Sequence, residues 1–281
     1  PRRFSCHATT RLHDVRPMRH ALLLIAAVAL APVPGASARA QSAVQAPPAD
    51  ESAAAPADAT PAPRALEPFL ATYEAWYDGR RAGTATMQLV HDEANRWRID
   101  LGVRGDRGFA GIVGLNIDQS TVFDQVDGEY RPLAQGTTRK AALVFNRRTT
   151  GTYDWASGIA RWTGDISKAR RAPVPLRPGD MSGLLINLAV VRDAAPGRTL
   201  QYRFVDRGRA RDHVYRAADT TEPVEVAGLS YEALRVERTN GGNDQTILWV
   251  ADGVPTPVRI LQREDGEDAV DLRLVEYRTL Q

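Results

Sequence analysis

Apolar and polar residues alternate along most of the sequence beyond residue 64. In FLATYEAWY (69–77) the odd-numbered residues are all apolar, and in WRIDLGV (97–103) apolar residues alternate with Arg, Asp and Gly. Because successive side chains of a β-strand point to opposite faces of the sheet, a period of two places the apolar residues on one face. The pattern therefore predicts strands that bury one face and expose the other.

Short turn sequences separate these segments. Asp78-Gly79 and Asp127-Gly128 each lie between two alternating runs, and Gly241-Gly242-Asn243 and Glu264-Asp265-Gly266 follow later in the chain. Asp-Gly pairs favour the two-residue turns that join neighbouring antiparallel strands. The predicted fold class is mostly β, an antiparallel meander sheet. With so many sequential hairpins, the sheet is expected to curl into a barrel or half-barrel.

One segment, residues 181–192, lacks this alternation and predicts a helix packed on or in the sheet. Asp180 precedes it as a candidate N-cap, and Pro196-Gly197 ends the run. Its apolar residues occur on most sides, so the helix needs cover on most sides, and we expect it on the concave face of the curled sheet. Three residues of one stripe are candidate contacts for an apolar ligand: Leu184, Leu188 and Val191.

The first 40 residues predict export. Met18 is the expected start, with residues 1–17 upstream of it. Residues 18–40 contain an arginine, the apolar run ALLLIAAVAL and a closing Ala-Arg-Ala, which are the three parts of a secretory signal peptide cleaved after Ala40. The apolar run is shorter than the roughly 20 residues of a membrane-spanning helix, although an uncleaved anchor is the alternative. The predicted location is the bacterial periplasm.

Two regions follow the predicted cleavage point. Residues 41–64 are rich in Ala, Pro and Ser and contain little that could form a core. Such a composition predicts a disordered linker. Residues 65–281 are numerous enough for a single β-rich domain with a sizeable core.

Removal of residues 1–40 changes the charge balance. That segment holds six of the 36 basic and one of the 34 acidic residues, so the mature chain carries 30 and 33, and its net charge is −3 rather than +2. This balance argues against nucleic-acid binding. The single cysteine, Cys6, is also removed, which excludes disulfide bonds and a lipid-linked cysteine from the predicted mature chain.

The sequence predicts no catalytic residues, no metal site and no cofactor. The predicted mature chain has two histidines, His91 and His213, and neither has a second ligand at metal-binding spacing. Ser182 in GDMSG lacks the G-x-S-x-G spacing of a hydrolase nucleophile. No transmembrane segment is predicted in the mature chain.

Arginines are concentrated in YRFVDRGRARDHVYR, residues 202–216. The sequence around Gly208 predicts a turn between two strands. One interpretation is an anion-binding ribbon for a lipid headgroup or a glycan, with Arg207, Arg209 and Arg211 as candidate contacts. The favoured interpretation is a solvated hairpin whose charges pair across the two strands.

The segment ILWVADGVPTPVRI, residues 247–260, is either a binding loop or a corner between two strands. Proline cannot donate a hydrogen bond to a sheet, so Pro255 and Pro257 favour the corner. Trp249 is then predicted to pack in the sheet rather than to form a binding platform.

Four of these segments together resemble a bacterial exported family, domain of unknown function 3108. They are the opening strand at residues 71–74, the helix segment GDMSGLLINL at 179–188, the turn at 206–209 and the corner at 248–260. The resemblance spans residues 68–278. It implies a periplasmic β-rich fold and carries over no catalytic residue.

The chain departs from this family at the start of the helix. The family has a Gln-Asp pair there, and this chain has Gly179-Asp180. A looser resemblance, of fold alone, is to periplasmic lipoprotein carriers, whose curled sheets have an apolar concave face closed by helices. Fold similarity does not establish function.

Three hypotheses of function follow. The favoured one is a non-enzymatic envelope protein that binds a lipid or other amphiphile, or a protein partner, on the concave face near the helix. The second is a structural or assembly factor that acts through its surface and the proline-rich residues 41–64. The third is an envelope hydrolase whose site is assembled from residues distant in sequence.

Overall fold

The computed structural model describes residues 66–92, 95–106, 114–141 and 145–280. The predicted signal peptide and the linker at 41–64 lie outside these residues and stay predictions. Within the described part, fifteen strands and one α-helix account for most of the chain, so the mostly-β prediction is confirmed.

The elements are numbered in chain order. The strands are β1 (Phe69–Tyr77), β2 (Arg80–His91), β3 (Arg96–Gly105), β4 (Asn116–Val126), β5 (Glu129–Ala141), β6 (Phe145–Asp154), β7 (Ile159–Gly164), β8 (Val174–Pro175), β9 (Asp180–Met181), β10 (Thr199–Asp206), β11 (Arg209–Val226), β12 (Leu229–Arg238), β13 (Gln245–Ala251), β14 (Arg259–Glu264) and β15 (Glu267–Thr279). The helix α1 spans Gly183–Asp193, and a 3-10 helix spans Lys168–Arg170.

All fifteen strands belong to one sheet. From β8 down to β1 and then from β15 down to β10, each strand pairs antiparallel with its neighbour along the chain, and β1 and β15 join the two runs. Strand β9 adds at the end of the sheet, parallel to β10. The antiparallel meander is therefore confirmed, and the sheet is not closed, since β8 and β9 form its two edges among the described residues.

In the described part of the chain, five hairpins close with two-residue turns in which both residues have positive φ. This is the type I′ geometry, whose twist matches that of the flanking strands. The turns predicted at Asp78-Gly79 and Asp127-Gly128 are confirmed, and Glu264 ends β14, so the next predicted turn contains Asp265-Gly266 alone. The complete set is Asp78-Gly79, Asp127-Gly128, Arg207-Gly208, Ala227-Gly228 and Asp265-Gly266.

Helix α1 lies against the concave face of the sheet, as predicted. It contacts β3, β4 and β5 on one side and β10 and β13 on the other, and Leu185, Ala189 and Val190 are completely buried. The predicted N-cap was wrong. Ser182 caps the helix through its hydroxyl, which accepts from the Leu185 N–H at 3.4 Å, whereas Asp180 lies in β9.

The sheet curls until β6, β7 and β8 cover the outer face of β10. Phe204 on β10 points into the main core, while the next residue, Val205, is fully buried in a second and smaller core. That second core contains Tyr153, Trp162 and Val174 from β6, β7 and β8. Because neighbouring residues of a strand face opposite sides, β10 is buried on both faces.

The corner predicted near residues 252–258 is confirmed. It joins β13 to β14, and Trp249 is only 6% exposed, with its indole N–H donating to Glu222 Oε1 at 2.5 Å. The hydroxyl of Tyr73 donates to the carbonyl of Pro257 at 3.0 Å and lies 2.6 Å from the hydroxyl of Thr256. These bonds fasten the corner to β1.

Candidate functional site

A partly open cavity of about 90 Å³, here called the inner cavity, lies beside the first turn of α1. Apolar side chains from the helix and from the sheet form much of its wall. Its polar residues come chiefly from β11, β12, β14 and the turn between β12 and β13. The apolar wall includes Leu101, Leu184, Ile186, Phe204, Ile260, Val270 and Leu272, and the polar wall includes Gln119, Asn187, His213, Arg238, Asp244, Gln262 and Arg263.

His213 is a buried histidine whose hydrogen bonds are not satisfied within the described residues. It is 7% exposed, and neither ring nitrogen has a hydrogen-bond partner. Burial lowers its pKa to about 3, with further lowering by the positive charges of Arg238 and Arg211. His213 is therefore neutral near pH 7 and has one N–H donor and one nitrogen acceptor available.

Arg238 lies on the neighbouring strand and is 5% exposed. Its Nε donates to Asn240 Oδ1 at 3.3 Å, and the described residues provide no carboxylate within ion-pair distance. Burial lowers its pKa, an effect that Tyr215 and Asp244 oppose. Because guanidinium stays charged in proteins, this is a buried positive charge without a paired anion.

Gln262 adds a second unsatisfied side chain to the same cavity. Its side-chain oxygen is buried and accepts no hydrogen bond from the described residues. Buried polar atoms in proteins nearly always have a partner, so two side chains with unsatisfied buried atoms, His213 and Gln262, beside an arginine without an ion pair point to a ligand site.

A second and larger opening, the end groove, lies where α1 ends. Its volume is about 400 Å³, and the last turns of the helix, the N-terminal ends of β1 and β5 and the β13–β14 corner surround it. Leu188 and Val191 belong to its wall, together with Leu66, Phe69, Leu89, Tyr130, Val254, Pro255, Tyr277 and Thr279. It is therefore a mainly apolar groove.

The arginine that lines the end groove, Arg192, is already neutralised. Arg192 bonds both carboxylate oxygens of Asp193, at 2.6 and 2.9 Å, and donates to the carbonyl of Gly128 at 2.7 Å. Its guanidinium also lies 4.5 Å from the ring centre of Tyr130. The end groove thus suits an apolar ligand better than an anion.

A further region with buried polar side chains is the contact of β10 with β5, β6, β8 and β9, here called the seam. Arg203 bonds both oxygens of Asp180 on β9 at 2.6 Å, and the Asp180 side chain is completely buried. Gln135 on β5 donates to Asp206, and its oxygen accepts from the Tyr153 hydroxyl at 2.6 Å. The seam is a network in which these polar groups satisfy one another.

Comparison of the sequence with protein families identifies a match that covers most of the chain. Residues 70–273 match the family described as Protein of unknown function (DUF3108). The chain belongs to this family. The predicted resemblance is therefore confirmed.

Comparison with solved structures and with curated proteins gives less information than the family match. The chain is similar to a crystal structure of a beta-barrel-like protein of the domain of unknown function DUF1849 from Brucella abortus, at 14% identity and a TM-score of 0.44, over 77% of this chain and 99% of that one. No curated protein matches the sequence.

The structure separates the ligand-binding residues predicted for this DUF3108 protein. Leu184 lines the inner cavity, whereas Leu188 and Val191 line the end groove. The lining of both openings, as far as the described residues define it, does not include Arg207, Arg209 or Arg211.

The interpretation of residues 202–216 as a solvated hairpin was wrong at its centre. Asp206 is 6% exposed and pairs with Arg207 at 3.1 Å, while Arg203 pairs with a different strand rather than across the hairpin. Burial raises the pKa of Asp206, and Arg207 and Gln135 oppose the shift. The hairpin is enclosed because β5 to β8 curl over it.

Sequence reasoning missed His213 and Arg238 as members of one site. Both occupy inward-facing positions of an alternating strand, since His213 shares its face with Tyr215 and Arg238 shares its face with Val236. A polar residue at an apolar position of an alternating strand was the available signal. The pairing of β11 with β12, which aligns Tyr215 with Arg238, brings the two together.

Ser182 has a structural role in the part of the chain that the structure describes. Its hydroxyl lies 2.9 Å from that of Thr121 and caps α1, with no histidine bonded to it. The described residues contain no cluster of three His, Cys, Asp or Glu side chains able to hold a metal ion. No helix of the described residues is long and apolar enough to cross a bilayer.

Proposed function

We propose that this DUF3108 protein is a non-enzymatic binder of a lipid or other amphiphile, that it works in the bacterial periplasm, and that the end groove takes the apolar part of the ligand. The observation that carries the proposal is the groove itself. Its volume of about 400 Å³ falls within the roughly 300–1,000 Å³ of small-molecule sites, and its walls are mainly apolar. The signal-peptide pattern of residues 18–40 supports the periplasmic location.

The architecture suits this task. A curled sheet with a helix along its concave side keeps the groove walls on regular elements, and two walls, β1 and the β13–β14 corner, are tied together by the bonds of Tyr73 to Thr256 and Pro257. A site held on strands and a helix is already shaped before the ligand arrives, so little ordering is needed on binding.

The first experiment is native mass spectrometry, with lipid extraction, of the mature protein purified from its own periplasm. A co-purifying molecule of defined mass is expected. A protein free of any small molecule, together with a protein that crosslinks to it in cells, would instead favour the assembly-factor hypothesis.

A binding assay then tests the groove itself. The probe is N-phenyl-1-naphthylamine, a neutral apolar dye that fluoresces when it leaves water. Thr279 is exposed at the groove rim, so Thr279→Trp fills the groove with little effect on the core, and we expect affinity to fall at least tenfold.

The matched control is Arg278→Trp. Arg278 is the neighbouring exposed residue of β15 and does not line the groove, so this variant keeps the affinity of the wild type. Equal dye affinity in the wild type and both variants would overturn the assignment of the ligand to the end groove.

A further inference from the structure

We propose that the inner cavity is a second and separate site that binds a small organic acid, with Arg238 and His213 holding its carboxylate and Gln262 accepting a hydrogen bond from a neighbouring hydroxyl or amino group. This site does not depend on the function proposed for the end groove, because the two openings share no lining residue.

The first observation that supports an anionic ligand is the burial of Arg238 without an ion pair among the described residues. Arginine is rarely buried without a partner, since its charge loses hydration that nothing replaces. Two other well-buried arginines among the described residues have ion-pair partners: Arg192 pairs with Asp193 and Arg203 with Asp180. Arg238 has the side-chain oxygen of Asn240 and no ion pair among the described residues. A ligand carboxylate in the cavity would supply the missing anion.

His213 is the second support. Its ring lies 4.8 Å from that of Phe204 and 6.3 Å from that of Tyr215, which hold the imidazole in place on the cavity wall. Its neutral ring can donate one N–H to a carboxylate oxygen. Several arginines add to the positive potential near this end of β11, because Arg211 experiences the charges of Arg209, Arg170, Arg238 and Arg207.

Gln262 and Asp244 restrict which functional groups the ligand can carry beside its carboxylate. The buried oxygen of Gln262 is an acceptor without a donor, and the carboxylate of Asp244 lines the same cavity at its half-buried rim. These two acceptors disfavour a second acidic group and favour a ligand donor such as a hydroxyl or an amine. The ligand chemistry is therefore a single carboxylate with an adjacent donor.

The apolar wall and the volume limit the size of the ligand. If one water-sized probe takes about 10–15 Å³, the 90 Å³ of the inner cavity corresponds to roughly six to nine non-hydrogen atoms. The side chains of Leu101, Ile260 and Leu272 require that the remainder be aliphatic. Short 2-hydroxy acids and small aliphatic amino acids both have this chemistry.

The test is a titration of the purified full chain with three probes that share one carbon skeleton: 2-hydroxyisovalerate, valine and isovalerate. Calorimetry measures affinity, and proton NMR follows the imidazole signal of His213, which is assigned by its loss in His213→Phe. We expect at least one of the two donor-bearing acids to bind at least tenfold more tightly than isovalerate and to shift the His213 signal. Which of the two binds better identifies the source of the carboxylate as a hydroxy acid or an amino acid.

The variant pair is Arg238→Met and Arg235→Met. Arg235 lies on the same strand, faces the other side of the sheet and pairs with Glu237 at 2.6 Å, so its replacement removes one positive charge without touching the cavity. We expect Arg238→Met to weaken binding at least tenfold and Arg235→Met to leave it unchanged.

Two results would overturn the proposal. One is the absence of both heat and a His213 shift with all three probes on the wild type, which needs no variant and hence no folding control. The other is equal binding by the wild type and Arg238→Met. Neither result bears on the end groove, because N-phenyl-1-naphthylamine has no carboxylate and reports on that groove separately.

Discussion

The seam and the inner cavity both place charged side chains inside the protein, but they treat those charges differently. In the seam, the completely buried Asp180 is bonded twice by Arg203, and Asp206 is bonded by Arg207 and Gln135. At the inner cavity, the ring nitrogens of His213 and the side-chain oxygen of Gln262 have no hydrogen-bond partner within the described residues. Arg238 has no ion pair among them.

This difference separates the buried polar groups that stabilise the fold from those that do not. Removing one member of a satisfied buried pair leaves the other unpaired, whereas replacing an unsatisfied buried group by an apolar one removes a cost. Seam residues should therefore lose stability on substitution, and cavity residues should keep or gain it.

The largest effect is expected for Arg203→Met at the seam. This change leaves the carboxylate of Asp180 buried and unpaired, and breaking a buried pair in this way costs about 3–5 kcal/mol. Urea denaturation measures the free energy of unfolding. The control is Arg216→Met on the neighbouring strand, whose half-exposed ion pair with Asp219 contributes under about 1 kcal/mol. A loss below 1 kcal/mol for Arg203→Met would mean that the seam does not hold the curled sheet together.

The next effect concerns the turn that the seam encloses. A Cβ added at Gly208 would meet the carbonyl oxygen of Arg170 at 2.0 Å, in a residue with φ of 70°. Gly208→Ala is expected to cost about 2–4 kcal/mol, from the left-handed backbone and the clash together.

Gly79→Ala is the matched control for that turn. Gly79 has nearly the same φ, 68°, in the same turn type, and a Cβ there meets open space. Its cost is expected at about 1–2 kcal/mol, for the backbone alone. Equal costs at the two positions would show that the β10–β11 turn does not press on the 3-10 helix.

A smaller effect with the opposite sign is expected for Arg238→Met at the inner cavity. Methionine keeps the unbranched shape and removes a buried charge that has no paired anion, so stability should stay the same or rise by about 1 kcal/mol. The same urea titration measures it beside Arg203→Met. A loss as large as that of Arg203→Met would show that Arg238 is a structural residue and would remove the contrast between the two regions.

The smallest effect is a dependence on pH. His213 has a folded pKa of about 3, below its ordinary value, so the unfolded chain binds the proton more readily and stability falls as pH drops from about 6.5 toward 3. His213→Phe removes this loss. We expect the melting temperature of the variant, relative to wild type, to rise by a few degrees between pH 7 and pH 5.

Glu264 titrates in the same range with the opposite sign. Burial, Asp244 and Asp265 raise its pKa to about 7, so its contribution to stability grows as pH falls from 7 to about 4.5. For this reason the difference between the variant and the wild type is measured, and His91→Phe, on exposed β2 sequence, is the control. A difference that does not change with pH would contradict the burial of a neutral His213.

Much of the fold was predictable because it depends on local chemistry. The alternation along β1 and β3 and the glycine-containing turn sequences are short-range signals, and they predicted the strands, the positions of four of the five type I′ turns in the described residues and the meander order. The helix was predicted within two residues at its start and one at its end. Its cap was not, because Asp180 is held by Arg203, which is 23 residues away in sequence.

The candidate sites were predictable only in part. The apolar stripe of α1 was predicted to contact one ligand, and this stays a prediction; Leu184 and the pair Leu188 and Val191 line different openings. The arginines of the β10–β11 hairpin were considered as candidate ligand contacts because they lie close together in the sequence. Arg238 was not considered, because it is far from His213 in the sequence. The pairing of β11 with β12 brings the two residues together.

The sequence by itself determined the strands, most of their turns, one buried helix and membership of the family, because each depends on periodicity, turn chemistry or local motifs. The tertiary structure decided how far the sheet curls and which polar side chains find partners inside it. Those outcomes depend on contacts between residues far apart in the chain, such as Arg203 with Asp180 and His213 beside Arg238. A charge can be read from a sequence, but whether it is buried, paired or left facing a cavity depends on what the folded chain brings next to it.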